Sequence, residues 1–165
     1  MEPIRDQRPC PREVPVVHAM AMAEFDGRTG LDVLDRDECL ALLGQCSLGR
    51  LAVVIDDLPL IFPVNFALDG DAIVFRNDPG SKVDGARNRP VAFECDWTDA
   101  LSQTGWSVLV TGDAVPVRDS AERDRLGHLP LGPWCPGPKA IWLRIQPKTL
   151  SGRRIPPTTV NAPTR

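Results

Sequence analysis

The sequence is poor in the side chains that usually bind metals or act as general acids and bases. Histidine occurs only at His18 and His128, and the five cysteines include no C-x-x-C pair, so we expect no metal site. No Ser–His–Asp, Cys–His or paired-carboxylate arrangement stands out, and catalytic residues stay unassigned. If the protein is an enzyme, a bound cofactor should carry out the chemistry.

A basic excess and a long apolar run are also missing. The formal net charge is −3, whereas a nucleic-acid-binding protein usually carries a basic surface. No apolar run of about 18 residues occurs, so we expect no membrane helix. The N-terminus has charges and prolines where a secretory signal needs an apolar core. We therefore expect a cytoplasmic protein with reduced cysteines and neither a nucleic-acid nor a membrane partner.

The chain of 165 residues suits one domain with one core. Residues 1–30 are rich in proline, arginine and acidic residues, and we predict a flexible N-terminal arm there. Residues 156–165 have a similar composition and are predicted to form a flexible tail. The folded domain is therefore expected over residues 31–155.

Within this domain the pattern predicts one capped helix followed by a series of strands. Asp35 and Glu38 form a variant of the capping box, and the helix should end at Gly44 or Gly49. Pro63 and Pro116 lie inside strand patterns and should mark an edge or a bulge, and Gly112 should mark a bulge or bend. Strands are predicted at 47–55, 58–68, 72–76, 90–97, 106–117, 139–147 and 149–155, with turns at 56–57 and 69–71 and short helices at 82–88 and 119–128. This spacing is typical of an antiparallel barrel or sandwich.

The segment FRNDPGSK, residues 75–82, has the composition of an anion site. A strand ends at Arg76, a glycine-containing turn follows, and Ser81 stands at a possible helix start. Free backbone N–H groups, a guanidinium fork and the ammonium group of Lys82 together suit a phosphate. An ordinary capped turn with two solvated charges explains the same residues.

Two further segments allow both a ligand-binding and a structural interpretation. Asn65 lies between apolar residues in FPVNF, where its amide needs a partner such as a flavin pyrimidine ring or the protein backbone. Trp106 opens the strand GWSVLV, where it could cover an aromatic cofactor, fill a dimer interface or pack in the core.

These segments, taken in order, resemble the pyridoxamine 5′-phosphate oxidase-like family of FMN-binding split barrels. The similarity extends over roughly residues 34–155 and is nearest to the nitroimidazole-resistance-like branch, which is common in actinobacteria. The segments that carry it are LGRLAVV (48–54), PVNF (63–66), FRNDPGSK (75–82), VAFECD (91–96), GWSVLVTGDA (105–114) and SGRRI (151–155).

The resemblance implies a mainly β fold, a six-stranded antiparallel split barrel with a few short helices. It also implies a homodimer with FMN at the interface. The residues that it places around the cofactor are Arg76, Asn77, Ser81 and Lys82 near the phosphate, Pro63, Val64, Asn65 and Phe66 along the isoalloxazine ring, Trp106 and Ser107 on a neighbouring strand, and Trp142, which would come from the partner subunit. Asn77 replaces the usual threonine, and the substrate-binding residues of true pyridoxamine phosphate oxidases have no match.

The function implied is a flavin-dependent oxidoreductase, a reductase of a small organic substrate that needs an electron donor. One alternative keeps the barrel but uses a deazaflavin coenzyme, whose anionic tail would call on Arg50, Arg87, Arg89 and Arg153. Another alternative is a non-catalytic sensory protein that holds flavin or haem, which the lack of acid–base residues favours.

Overall fold

The fold is built on one antiparallel sheet that closes on itself. The computed structural model describes residues 24–80, 82–132, 134 and 136–157. The described residues form the strands β1 (Glu24–Asp26), β2 (Leu31–Leu34), β3 (Leu48–Ile55), β4 (Leu58–Asp69), β5 (Ala72–Asn77), β6 (Pro90–Asp99), β7 (Thr104–Pro116), β8 (Ile141–Ile145) and β9 (Thr149–Ile155), the helices α1 (Arg36–Gly44) and α2 (Ser120–Leu126), and a 3-10 helix (Lys82–Ala86).

Strand pairing confirms the split-barrel prediction and rules out the sandwich. The sheet order is β1-β2-β9-β7-β6-β3-β4-β5-β8, and β8 pairs back onto β7. Strands β3 to β8 therefore close a six-stranded antiparallel barrel. The strands β9, β2 and β1 extend the sheet outward from β7. The described helices are few and short, as predicted.

Alternating side chains explain why these segments form a barrel with a packed interior. In β3, the inward positions Gly49, Leu51 and Val53 are buried, while the alternate positions Arg50 and Val54 are exposed. Gly49 leaves room for Phe93 of β6, because a Cβ at this glycine would lie 2.2 Å from the ring. The barrel interior therefore consists of interleaved aliphatic and aromatic side chains.

The predicted hairpin turns form through local backbone chemistry. Asp56 and Asp57 have φ values of 50° and 62°, the left-handed pair that a two-residue turn between twisted strands requires. Gly70 turns the β4–β5 hairpin with φ of 59°. Both turns lie where the sequence predicted them.

Two long strands change partners along their length, and this splits the barrel. Residues 58–65 of β4 pair with β3 and residues 66–69 pair with β5, so Pro63 lies where one side of β4 carries no paired strand. In β7, residues 105–111 pair with β9 and residues 114–116 with β8. Gly112, where the sequence predicted a bulge or bend, lies at this change of partner, and β7 keeps an unbroken register with β6 there.

Helix α1 packs against β9, β4 and β7. The Asp35 carboxylate accepts from the Glu38 N–H at 2.8 Å, and the Glu38 carboxylate accepts from the Asp35 N–H at 3.1 Å, so the predicted capping box is present. Cys39 of α1 packs over Gly152, where a Cβ would lie 2.6 Å from its Sγ. Burial raises the pKa of the Cys39 thiol to about 11, as expected of a structural cysteine.

The boundary predicted for the N-terminal arm needs a correction. Residues 24–26 fall within that predicted arm, yet they form β1, which pairs with β2. Residues 1–23 and 158–165 lie outside the described residues, and so does most of the predicted tail. Within the described residues, no helix is long and apolar enough to span a membrane.

Candidate functional site

Arg76 is the centre of the candidate site. It lies near the end of β5, where its Nε donates to the Lys139 carbonyl at 2.8 Å and its Nη2 donates to the Pro138 carbonyl at 3.2 Å. Its guanidinium carbon lies 4.9 Å from the centroid of the Trp142 ring. All three contacts are with neutral groups, and among the described residues no carboxylate forms an ion pair with Arg76. The positive charge therefore stays available to an anion.

The carbonyls that hold Arg76 belong to a segment that we call the strap, defined as Trp134 and residues 136–140. Asp78 fixes it by accepting from the Lys139 N–H at 2.9 Å and from the Lys139 Nζ at 2.5 Å. These bonds hold the pKa of Asp78 below its usual range. Gly137 passes so close to Asp78 that a Cβ would lie 3.0 Å from the carboxylate. The strap is thus bound along the end of β5.

Trp142 and Asn77 complete the β5 side of the site. Trp142 is buried on β8, opposite Arg76 in the register of the sheet. It contacts Arg76 of its own chain, and its predicted contribution from the partner subunit stays a prediction. Asn77 is 5% exposed, and its Nδ2 donates to the Asp78 carbonyl at 3.2 Å.

The turn that follows β5 leaves open space at Gly80. Gly80 has φ of 71°, and nothing lies within 4 Å of a Cβ built on it. Its N–H donates to the Asp84 carboxylate at 3.3 Å, which itself pairs with Arg87. Lys82 begins the 3-10 helix here. Ser81 and the side chain of Lys82 lie outside what the structure describes, so their predicted phosphate contacts stay predictions.

Asn65 links β4 to the strap. Its Nδ2 donates to the Ser47 carbonyl at 3.2 Å, and its Oδ1 accepts from the Trp134 N–H at 3.0 Å. The protein backbone thus provides hydrogen-bond partners for the Asn65 amide, which is one of the two interpretations of the sequence. The amide has two hydrogens and two lone pairs, and these bonds use one of each. One hydrogen and one lone pair are therefore left for a ligand.

The remaining predicted residues divide between the two faces of the sheet. Val64, Phe66 and Trp106 are buried in the core, so a ligand outside the barrel would meet the backbone of the two β4 residues and not their side chains. Core packing is thus the observed role of Trp106. Pro63 and Ser107 face outward and are exposed.

Pro63 and Ser107 belong to a broad surface that we call the outer sheet face. It consists of the outward positions of β4, β3, β6 and β7, and its exposed or half-exposed small and apolar members are Ala52, Val54, Ile61, Pro63, Ala92 and Leu109. The polar centre is Arg50, which bonds the carboxylates of Glu94 and Asp96. Burial, followed by the negative charge of Asp96, raises the pKa of Glu94.

Sequence reasoning missed the strap. Pro138, Lys139 and Trp134 contact the side chains of Arg76, Asp78 and Asn65, yet they stand more than 60 residues away in the chain. Lysine occurs only at Lys82, Lys139 and Lys148 in the sequence, and this rarity was a usable signal for Lys139. The described residues of the site provide three features, namely the Arg76 charge that none of their carboxylates pairs, the Trp142 ring and the oriented amide of Asn65. This combination suits a ligand that joins an anion to a flat polar ring.

Comparison with known proteins identifies the class that this barrel and site define. The family model described as pyridoxamine 5′-phosphate oxidase matches residues 35–154. An uncharacterized protein of Mycobacterium tuberculosis, Rv0080, is 35% identical over 128 residues, covering 74% of this chain and 84% of the relative. The chain belongs to the pyridoxamine 5′-phosphate oxidase family, as the ordered segments predicted.

Solved structures agree with this assignment. The FAD binding protein from Mycobacterium smegmatis is 34% identical, with a TM-score of 0.60, covering 75% of this chain and 97% of that one. A protein of Bacteroides thetaiotaomicron assigned to 5-nitroimidazole antibiotic resistance shares the fold at 15% identity, with a TM-score of 0.61 and coverage of 76% and 89%.

Proposed function

We propose that this protein binds a flavin nucleotide and is a flavin-dependent oxidoreductase of a small organic substrate. The observation that carries the proposal is Arg76, a partly buried guanidinium whose described contacts are two carbonyls and an indole ring. Removing such a charge from water is costly unless an anion compensates it. A 5′-phosphate is the anion that this family membership makes most reasonable.

The residues present fit such a group. Space lies open over Gly80, beside the start of the 3-10 helix that carries Lys82. The carboxylates nearest to this turn, Asp78 and Asp84, are each neutralised by a basic partner, Lys139 and Arg87. Repulsion of a phosphate by these acids is thereby reduced.

The identity of the flavin is the next part of the proposal. The resemblance implied FMN, while the Mycobacterium smegmatis relative is named an FAD binding protein. Both nucleotides carry the same ring system, ribityl chain and first phosphate, so Arg76 would serve either one. We propose FMN as the minimal ligand, with FAD as the competitor that the experiment must include.

The flavin supplies the redox chemistry when it is bound. The chain binds the phosphate through Arg76 and Lys82, and the Asn65 amide orients a polar ring edge with its unused hydrogen and lone pair. The strap excludes water from the Arg76 side. Because the described residues offer no acid–base pair near Arg76, these binding and orienting roles are the whole of the proposed protein contribution.

We also propose that two copies associate through the outer sheet face. Val54 and Ile61 are 54% and 67% exposed on it, which is unusual for large aliphatic side chains on a solvated sheet. A self-complementary patch of this kind suits a two-fold dimer. The predicted ring-lining positions Pro63 and Asn65 would then lie at the edge of the interface.

One experiment tests the cofactor proposal. The purified protein is extracted to identify any bound flavin by its absorption spectrum and mass. The flavin-free protein is then titrated with FMN, FAD, riboflavin and a deazaflavin coenzyme, and binding is followed by calorimetry. We expect FMN or FAD to bind at least about tenfold more tightly than riboflavin, roughly 1.4 kcal/mol. A colourless protein that binds none of them contradicts the proposal.

The deazaflavin arm of this titration tests the alternative coenzyme. In that alternative, four arginines would bind the anionic tail of the coenzyme. However, Arg50 is paired with Glu94 and Asp96, and Arg87 is paired with Asp84. Two of the four charges are therefore already compensated. We expect the deazaflavin coenzyme to bind at least about tenfold more weakly than FMN.

The same preparation separates an oxidoreductase from a non-catalytic sensor. The flavin-loaded protein is mixed with NADH or NADPH and an artificial acceptor. Steady oxidation of either donor supports the oxidoreductase. A protein that binds flavin but whose flavin neither donor reduces is a sensor or carrier.

A further inference from the structure

The strap is hydrogen-bonded to Arg76 of β5 and to Asn65 of β4, and it carries the exposed Trp134. We infer that the strap is the cover of the bound flavin, and that Trp134 is the aromatic residue that it lays against the flavin ring system. The inference deepens the proposed function and rests on it.

The bonds that position the strap come from side chains that were predicted to meet the ligand. Arg76 donates to the Pro138 and Lys139 carbonyls, and Asn65 accepts from the Trp134 N–H. A guanidinium has five N–H donors and a primary amide four hydrogen-bonding positions. Both side chains can therefore hold the strap and a ligand at the same time, and the position of the strap depends on the same groups as the position of the ligand.

The second anchor of the strap involves no predicted ligand contact. Asp78 accepts from both the backbone and the side chain of Lys139, whose side chain is only 16% exposed. Lys139 itself has φ of 42° and Gly137 has φ of 136°, so the chain bends sharply to meet Asp78. This anchor offers a way to loosen the strap without removing a predicted flavin contact, although Lys139→Ala also leaves the Asp78 carboxylate without its ion pair.

Trp134 is the strap residue whose side chain is available to contact a ligand. It is 52% exposed, whereas Trp106 and Trp142 are 6% and 7% exposed. Its N–H bond to Asn65 fixes the backbone beside the polar end of β4, and the strap then leads to the charge of Arg76. A flat aromatic ring with polar edges, joined to an anion, matches this sequence of features. A flavin nucleotide has that chemistry.

The test measures how fast flavin leaves the full-length protein. Each variant is loaded with FMN, and its release into excess competitor is followed by stopped-flow fluorescence. We expect Trp134→Ala to raise the dissociation rate about tenfold with little change in the association rate, because a cover acts mainly on release. Lys139→Ala should raise the dissociation rates of FMN and of riboflavin alike, because a looser strap uncovers the ring system, whereas the unpaired Asp78 charge would act only on the phosphate of FMN. Trp134→Phe should stay within about threefold of wild type because it keeps a ring.

Matched controls separate the cover from general damage. Leu101→Ala truncates an apolar side chain that is 98% exposed in the β6–β7 turn. Lys148→Ala removes an exposed ion pair with Asp113. Both should release FMN at the wild-type rate. Trp134→Phe should also lose part of the quenching of tryptophan fluorescence that FMN binding causes in the wild type.

Several outcomes overturn the inference. Release rates of Trp134→Ala and Lys139→Ala within twofold of a wild type that does bind FMN would show that the strap is no cover, while the proposed function stands. A change of oligomeric mass in Trp134→Ala without faster release would make Trp134 an interface residue. A wild type that binds neither FMN nor FAD removes both the inference and the proposed function.

Discussion

At the scale of single residues, the guanidinium of Arg76 has two roles that a single substitution can separate. It positions the strap through two carbonyls, and we propose that it also binds the flavin phosphate. Arg76→Ala should weaken FMN binding by roughly 1.5–3 kcal/mol, since it removes a charge-assisted contact. Riboflavin, which has no phosphate, should lose much less affinity.

Calorimetry of FMN and riboflavin on the same variant checks this prediction. Arg36→Ala is the matched control, because Arg36 on α1 pairs with Asp71 at the surface, and it should leave both affinities unchanged. Equal losses for the two ligands would show that Arg76 acts through the strap alone.

The raised pKa of Glu94 predicts how the free energy of unfolding depends on pH. Burial and the charge of Asp96 raise its pKa in the folded state above the usual 4.5. Between 4.5 and that raised value the folded protein binds more protons than the unfolded chain, so stability falls as the pH rises through this window. Glu94→Gln should remove this decline, and urea unfolding between pH 4 and 7 measures it.

Asp99→Asn is the control for this prediction, because the pKa of Asp99 is shifted in the opposite direction to that of Glu94. Hydrogen bonds from the Leu101 N–H and the Ser102 hydroxyl lower the pKa of Asp99, so its stabilisation is lost only as the pH falls below 3.8. That variant should lower stability evenly from pH 5 to 7 and leave the slope intact. A slope unchanged in Glu94→Gln would contradict the burial assigned to this carboxyl.

At the scale of elements, β7 depends on the absence of a side chain at Gly112. A Cβ there would lie 2.4 Å from the Gln146 carbonyl oxygen and 2.9 Å from Ile145, and a backbone group cannot rotate away. Gly112→Ala should therefore lower the free energy of unfolding by about 1–3 kcal/mol. Thermal and urea unfolding measure the loss.

Gly27→Ala is the control for this substitution. Nothing lies within 4 Å of a Cβ at Gly27, and its φ lies outside the left-handed region, so that variant should retain wild-type stability. A Gly112→Ala protein as stable as wild type would mean that the backbone at Gln146 shifts to admit the side chain.

Elements governed by neighbouring residues could be predicted from the sequence, and those built by distant contacts could not. Asp35 and Glu38 cap α1, and Asp56 and Asp57 form a hairpin turn. Each of these geometries is determined by two residues that lie close together in the sequence. The strap has no such local code, because its position depends on Asp78 and on residues of β4 and β5. The inward direction of Trp106 likewise follows from strand register and not from its type.

At the scale of the whole molecule, the last prediction concerns the outer sheet face. If two copies pack on it, the protein should sediment at about twice 18.1 kDa, and burial of 1,200–2,000 Å² is typical of such an interface. Ile61→Asp places a charge on a side chain that is 67% exposed in the monomer. The isolated fold tolerates that charge, whereas a dimer interface would have to desolvate it.

We therefore expect Ile61→Asp to sediment as a folded monomer at micromolar concentration and to bind flavin more weakly, because the ring-lining end of β4 would lose its partner. Leu101→Asp, with the same charge change in an exposed turn, should remain dimeric. Analytical ultracentrifugation with circular dichroism separates dissociation from unfolding. A wild type that sediments at 18.1 kDa with flavin bound would show that one chain suffices for the site.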